Sequence, residues 1–493
     1  MAGIDNIPIP PQAEPLIQSG LESRVLLPTD AAYAARIESY WCNNAKLRPS
    51  CIVQPQSAKE VSQAVTALAK ANQPFAVRAG GHTNWAGSNN IADGVTIDLG
   101  LLNSTRYDDT NKTAHLEPGA KWKDVYAELE KYGRSVTGGK EAEVGVGGFL
   151  LGGGMTFYAS VYGLACNSVI AYEIVLADGS IITAEAEGEH ADLFRALKGG
   201  GNNFGIVTRF TMPTIYSGTV WGGLALHQLD VVPAGIKALV DFTANSLSDP
   251  LSNMYFVVGH QPRFGGGVGI TIANQMSDPE KQINDPAEPT LLQNALALPN
   301  IMNNYKKATL QEVITYSSLP PNYYNIWFTL TIKNDISILL KAAELHNQMA
   351  KELQAGIPDQ DFTSHVAFQP IPYLFVEASQ DTNRSGNVLG LEQNTGDAIL
   401  IQASASVRTA ELEAWARPKV RALVEEVRTF ANNIEGGVMP WLYLNYAHSS
   451  QEVLQSYGPE NVRRIREAAS KYDPEGVFQR LCPGGFKISA LGN

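Results

Sequence analysis

The sequence predicts an α+β protein, in which a discontinuous first domain is interrupted by a second domain whose large antiparallel sheet is backed by helices. Three observations lead there. From Asn44 to Pro213 short strand and helix signals alternate. From Ile215 to Gly436 the strand candidates are longer and the crossovers few, which suits one antiparallel sheet. After Gly437 the chain resumes the character of its first domain. The expected division is an arm (1–43), a first domain begun by 44–215, a second domain over 216–436, and a closing segment, 437–493, that completes the first.

Up to about Ala45 the chain is Pro-rich and then helical, an arm expected to pack on a later domain. Ser57 and Glu60 form a capping-box pattern, and Val61, Val65 and Leu68 supply the apolar stripe of the helix that follows. Phe75–Val77, Gly94–Asp98 and Thr113–Glu117 read as strands. Lys121–Lys131 is a helix presenting Trp122, Val125 and Leu129. Val169–Leu176 and Ile181–Ala184 flank an Asp178-Gly179 turn and form a hairpin. Gly205–Met212 is a further strand. The six longer strands are Trp221–Gln228, Asn253–Gln261, Gly267–Asn274, Ile326–Lys333, His365–Gln369 and Ala398–Arg408, with helices over Ile336–Leu353 and Ala410–Asn432.

The 493 residues carry 37 Lys and Arg against 49 Asp and Glu, a net charge of −12, with no basic tract. Nucleic acid is therefore not an expected partner, because phosphate neutralisation needs clustered cations. No apolar run is long enough to cross a bilayer. The opening segment lacks a basic start and an apolar stretch, so no secretory leader is read and the cytoplasm is the expected compartment. Cys42, Cys51, Cys166 and Cys482 lack metal-binding spacing; reduced thiols and no metal are expected, with a Cys42–Cys51 bridge as the alternative.

Three glycine-rich runs carry the chemistry. The first is Arg78-Ala79-Gly80-Gly81-His82, continued by Thr83 to Gly87. Paired glycines let backbone pass close to a ligand, their N–H groups can form an anion-binding concavity, and Arg78 adds a charge suited to phosphate. Alone, the run reads as a tight turn with a surface histidine; the rest of the chain reverses that reading. The second run, Gly138 to Gly154, holds eight glycines interleaved with Val and Leu. It looks like backbone laid against a large ligand, or else a helix-packing contact. The dinucleotide fingerprint fails, since Leu150 stands where the third glycine belongs. In the third, Gly199 to Val207, the phosphate-loop spacing is present but Ile206 replaces the lysine. Three runs without a nucleotide motif favour one long cofactor in an extended pose.

In order along the chain come Arg-Ala-Gly-Gly-His, Val-Gly-Val-Gly-Gly, Tyr162-Gly163-Leu164-Ala165-Cys166-Asn167, Gly-Gly-Asn-Asn-Phe-Gly-Ile-Val, Tyr443-Leu444-Asn445-Tyr446 and Lys471-Tyr472-Asp473-Pro474. This set resembles the FAD-linked oxidases of the vanillyl-alcohol oxidase (PCMH-type) superfamily, in the berberine bridge enzyme-like branch. Gln479 to Lys487 is similar to the fungal versions of secondary metabolism. The resemblance implies a PCMH-type FAD-binding domain and a sheet that roofs the substrate pocket.

It also implies covalent FAD attached through His82. A second bond from cysteine, found in many members, falls at Glu141 here, so a single link is expected. The Glu141 carboxylate either faces substrate or stands solvated on its loop. The implied flavin contacts are Arg78, Gly80, Gly81, His82, Thr83, Gly87, Gly138, Gly139, Val144, Gly145, Gly148, Gly153, Asn202, Gly205, Val207 and Tyr446. Val144 falls where the family controls oxygen access, and a valine there resembles the oxygen-reactive members. Tyr443 is the candidate base or orienter, with Asn445 bonded to it or to flavin. A phenol needs a lowered pKa to act as a base. Gln402, on an alternating strand with Leu400 and Ser404, is a pocket candidate, as are His365, Gln369, Phe157 and Tyr158. The expected activity is an oxidase that moves a hydride from a small secondary metabolite to flavin, with oxygen as acceptor. A carbohydrate oxidase and a non-redox cyclase on the same scaffold are the alternatives.

Overall fold

Ser57 opens the first long helix, Ala58–Lys70, by accepting the Glu60 N–H at 3.2 Å. The expected capping box does not close. The Glu60 carboxylate instead accepts the Gln56 N–H at 2.7 Å and pairs with Arg24 at 3.0 Å, which ties the arm to the helix. Val61, Val65 and Leu68 are fully buried among Val53, Phe75, Val95 and Ile97. Each such side chain stabilises the fold by about 1.5–3 kcal/mol. The computed structural model describes residues 9–262, 266–277, 289–316, 318–357, 359, 361–379 and 386–491. Part of the opening segment read for a leader (1–8) lies outside them.

The first sheet runs in the order Val25–Leu26, Cys51–Val53, Val95–Asp98, Phe75–Arg78. Its last three strands are parallel, and the arm contributes the antiparallel edge. A second sheet, antiparallel throughout, has the order Thr105–Asp108, Thr113–Leu116, Ile206–Pro213, Ala171–Val175, Ile181–Glu185. The closing segment returns to this part of the molecule. Phe75 N–H donates to the Leu481 carbonyl at 2.7 Å, and Asn203 Nδ2 donates to the Phe486 carbonyl at 2.9 Å. The closing segment thus packs beside the first sheet and the third glycine run.

Among the described residues the third sheet has nine strands, and all six long candidates lie in it, antiparallel, in the order Val220–His227, Gly266–Met276, Ser252–Gln261, Thr363–Ile371, Ala398–Val407, Tyr324–Lys333. Alternation along Ala398–Val407 decides its two faces. Ile399, Ile401, Ala403 and Ala405 pack with residues of the helices Val232–Ala244, Ile336–Gly356 and Ala410–Ala431. The opposite face turns toward the first domain, and Leu400 joins the core that both parts share. All four cysteines are buried free thiols, with no Cys42–Cys51 bridge. Among the described residues no helix is long and apolar enough to cross a membrane.

Candidate active site

A cavity of about 770 Å³ lies between the glycine runs and the free face of the large sheet. That size falls within the range of small-molecule and cofactor sites. Strand Phe75–Arg78 delivers the first run to its floor. Gly81 has φ +74° there, a conformation that favours glycine. Gly80 meets Gly145 backbone to backbone: a Cβ on Gly80 would stand 2.4 Å from the Gly145 Cα, and one on Gly145 would stand 2.5 Å from the Gly80 Cα.

The second run is pinned by the first turn of helix Trp122–Glu130 and the residue Ala120 just before it. Trp122 N–H donates to the Val144 carbonyl (3.1 Å), Lys123 N–H to Ala142 (3.1 Å), and Val146 N–H to Ala120 (2.9 Å). These bonds hold Val144, Gly145 and Gly148 in the cavity wall. A Cβ on Gly148 would meet nothing within 4 Å, so the missing side chain leaves room for a ligand. From the third run, Asn202, Gly205 and Val207 reach the wall. Lys487 Nζ donates to the Asn202 carbonyl at 2.9 Å, so the closing segment braces this loop.

Gly80, Gly81, His82, Thr83, Gly139, Tyr443, Asn445, Tyr446 and Gln402 also line the cavity. Arg78, Gly87, Gly138 and Gly153 do not. The Arg78 guanidinium donates to the Arg36 carbonyl (2.6 Å) and the Ser39 hydroxyl (2.8 Å), lies 3.7 Å from the Tyr40 ring centroid, and is buried. It braces the turn from behind and does not reach the cavity wall. Gly138 packs on Trp122, Gly153 lies between Leu164 and Leu389, and Gly87 abuts Gly484. Gly138 and Gly153 serve chain packing, whereas Gly87 has φ +86° and open space where a Cβ would stand. Tyr158 belongs to the core, whereas Phe157 reaches the cavity.

His82 stacks on Trp41, and its Nε2 stands 3.6 Å from Glu141 Oε2. That distance exceeds a hydrogen bond. Burial pushes the His82 pKa down to about 4, so the imidazole is neutral near pH 7 and the contact is not an ion pair. Glu141 is not a solvated loop carboxylate. Its Oε2 accepts the Glu143 (2.8 Å) and Val144 (2.9 Å) N–H groups, its Oε1 accepts from Ser318 (3.1 Å), and burial raises its pKa.

Tyr443 is buried in the shared core. Its hydroxyl oxygen accepts from the Met155 N–H at 2.8 Å and from Asn445 Nδ2 at 3.1 Å. Burial raises its pKa above that of an ordinary phenol, and among the described residues no salt-forming cation opposes the shift. Burial thus keeps this phenol protonated, and the two bonds it accepts hold it against the Met155 backbone.

Alternate residues of the large sheet form the roof. Leu224, Leu226, Val257, Ile270 and Ile272 make an apolar strip; Tyr255, His365, Gln369 and Gln402 make a polar one. His365 Nε2 is 3.1 Å from Gln402 Oε1, its Nδ1 is 2.9 Å from Ser404 Oγ, and burial lowers its pKa. Five buried polar atoms on cavity residues lack a protein partner: Asn84 Nδ2, Asn89 Oδ1, Tyr316 OH, Trp327 Nε1 and Gln402 Nε2. Native interiors rarely leave such groups unpaired, so they fit a polar ligand. Together with the glycine floor they suit a long, flat group that carries several hydrogen-bonding atoms. Trp41, Tyr255 and Trp327 have no motif that marks them in the sequence. Lys140 stands inside the second run, where a cation among glycines is the signal that could have found it.

An FAD-binding-domain family model matches residues 49–185. The FAD-dependent monooxygenase sdcF of Emericella nidulans is 36% identical over 96% of this chain and 97% of its own. Two solved structures share the fold. The berberine bridge enzyme of Eschscholzia californica has a TM-score of 0.74 at 17% identity, over 98% of this chain and 99% of its own. The glucooligosaccharide oxidase of Acremonium strictum, described with a 6-S-cysteinyl, 8α-N1-histidyl FAD, has a TM-score of 0.74 at 19% identity, over 94% and 97%. The pinned glycine floor, the roofing sheet and these relatives agree: the chain has the fold of berberine bridge enzyme and belongs to the family of FAD-binding oxidoreductases that includes the Emericella FAD-dependent monooxygenase.

Proposed function

We propose that this chain is an FAD-linked oxidase of a small, largely apolar secondary metabolite, with oxygen as electron acceptor and a single flavin link through His82. The observation that carries the reading is that one cavity joins the His82 floor to the Gln402 and His365 roof. Bound FAD supplies the two-electron acceptor.

The chain's own residues do the rest. Gly80, Gly81, Gly145 and Gly148 let backbone lie flat against the cofactor, and Thr83, Asn202, Gly205 and Val207 border it. The neutral His82 imidazole keeps a nitrogen lone pair for the link, and Glu141 stands where the second link of bicovalent relatives falls. Tyr443 and Asn445 fix the backbone beneath: Asn445 Nδ2 also donates to the Phe149 carbonyl at 3.1 Å. The unpaired Gln402 Nε2 offers a donor to substrate, and neutral His365 can accept a proton at a ring nitrogen. Holding the substrate against both surfaces supplies orientation and excludes water. The apolar strip argues against a carbohydrate.

The name of the Emericella relative supports a second reading, oxygen insertion into the product. Anaerobic mixing with substrate tests the redox assignment: bleaching of the yellow absorbance is expected, and a non-redox cyclase would leave it unchanged. Turnover under ¹⁸O₂ then separates the two redox readings. Label in hydrogen peroxide alone means oxidase; label in the product means monooxygenase.

A further inference from the structure

Lys140 is the cation that the cavity does not account for. Its ammonium reaches from the second glycine run to the roof, where it contacts the Tyr255 hydroxyl and stands 3.4 Å from Gln369 Oε1. It lies 4.1 Å from the Tyr255 ring centroid and 6.0 Å from that of Phe157. Among the described residues no carboxylate pairs with it. Its neighbours on the second run are engaged elsewhere: Glu141 accepts the Glu143 and Val144 N–H groups, and Glu143 takes both Lys121 and Lys123 at 2.6 Å. An enclosed ammonium without a counter-charge is costly. Burial accordingly pushes the Lys140 pKa well below its ordinary value.

Its surroundings describe what would complete it. Tyr255 and Phe157 offer aromatic surface. Gln369 Nε2 donates to the Tyr446 hydroxyl at 3.0 Å, so the polar groups beside Lys140 form one connected strip. Gln402 adds an unpaired amide donor farther along the roof. Beyond lies the apolar strip of Leu224, Val257 and Ile272. The complementary ligand is flat, carries an acidic oxygen at one end and is apolar along its length. A carboxylate would satisfy the charge alone. An acidic hydroxyl satisfies more, because its oxyanion supplies the charge while its ring meets the Tyr255 and Phe157 surface.

We propose that Lys140 recognises a phenolic or enolic hydroxyl of the substrate, so that the enzyme selects acidic, planar, apolar molecules. The hydroxyl proton leaves to solvent and the oxyanion pairs with the Lys140 ammonium, which leaves the ring electron-rich for oxidation. This rests on the reading of the cavity as a flavoenzyme's substrate pocket.

The test uses the flavin-loaded enzyme with 4-nitrophenol and its neutral counterpart nitrobenzene, below the solution pKa of the phenol. Wild type is expected to bind 4-nitrophenol at least tenfold more tightly than nitrobenzene and to develop the phenolate absorbance on binding. Equal affinity, or no phenolate band, would overturn the proposal without any variant. Lys140→Met should lose the band and at least tenfold in nitrophenol affinity, while its flavin content and spectrum stay those of wild type. Lys140→Arg should keep the affinity preference. If Lys140→Met shed flavin or altered its spectrum yet bound nitrophenol normally, the lysine would serve the cofactor and the proposal would fall. A colourless wild type would instead refute the flavoenzyme reading, and the nitrophenol preference can still be measured on that form.

Discussion

The imidazole of His82 lies face to face with the indole of Trp41, ring centroids 4.2 Å apart and planes within 9°. Trp41 belongs to the arm, and its backbone N–H donates to the Gly81 carbonyl at 3.2 Å. One residue therefore fixes both the glycine turn and the ring that ends it. Acid precipitation of the protein should leave yellow colour in the pellet, on the peptide containing His82. His82→Ala should give a colourless pellet, and Trp41→Leu a covalent fraction lowered several-fold. Normal covalent incorporation in His82→Ala would refute the link.

Glu141 Oε2, at 3.6 Å from His82 Nε2, marks how near a second tether would stand. Glu141→Cys is expected to become bicovalent, read by mass spectrometry as one flavin joining the peptides of residues 82 and 141. A free thiol at that position in a fully flavinylated protein would count against the expectation.

Tyr443→Phe separates a base from a positioning residue. Loss of the hydroxyl strands the buried Met155 N–H, at a cost of about 1–3 kcal/mol. A fall in Tm of a few degrees is expected, with kcat reduced less than tenfold. Removal of a general base would cost roughly 10²–10⁴-fold, and a loss on that scale would restore Tyr443 to the chemistry.

His346 gives the fold an acid-sensitive element. It is fully buried, its Nε2 is 3.1 Å from Ser364 Oγ, and burial lowers its pKa to about 3. The unfolded chain takes up this proton near the ordinary value of about 6.5. Between those values the unfolded state holds more protons, so stability falls as pH drops below about 6.5. Tm measured from pH 7 to 4.5 should decline, and His346→Gln should flatten the slope by up to about 1.4 kcal/mol per pH unit. An unchanged slope would mean that this imidazole titrates normally in the fold.

Local pattern made most of the architecture legible. The six long strands and the helices Ile336–Gly356 and Ala410–Ala431 follow from alternation and helical spacing, because each element buries one face. Side-chain direction at the loops was not legible. Arg78 follows a strand and precedes two glycines, yet Arg36, Ser39 and Tyr40, far away in sequence, claim its guanidinium. Glu141 reads as a loop carboxylate until the N–H groups of Glu143 and Val144 turn it inward. Lys140 lies in plain view within its run, but only the fold brings Tyr255 and Gln369 to it.

The mutual contact of Gly80 and Gly145 has an evolutionary consequence. Neither position can gain even a methyl group while the two chains stay in register, and substituting both enlarges the collision. The two loops are therefore inherited as one unit. Specificity among descendants of this scaffold should diversify on the roof, where side chains can change one at a time, while the floor stays frozen.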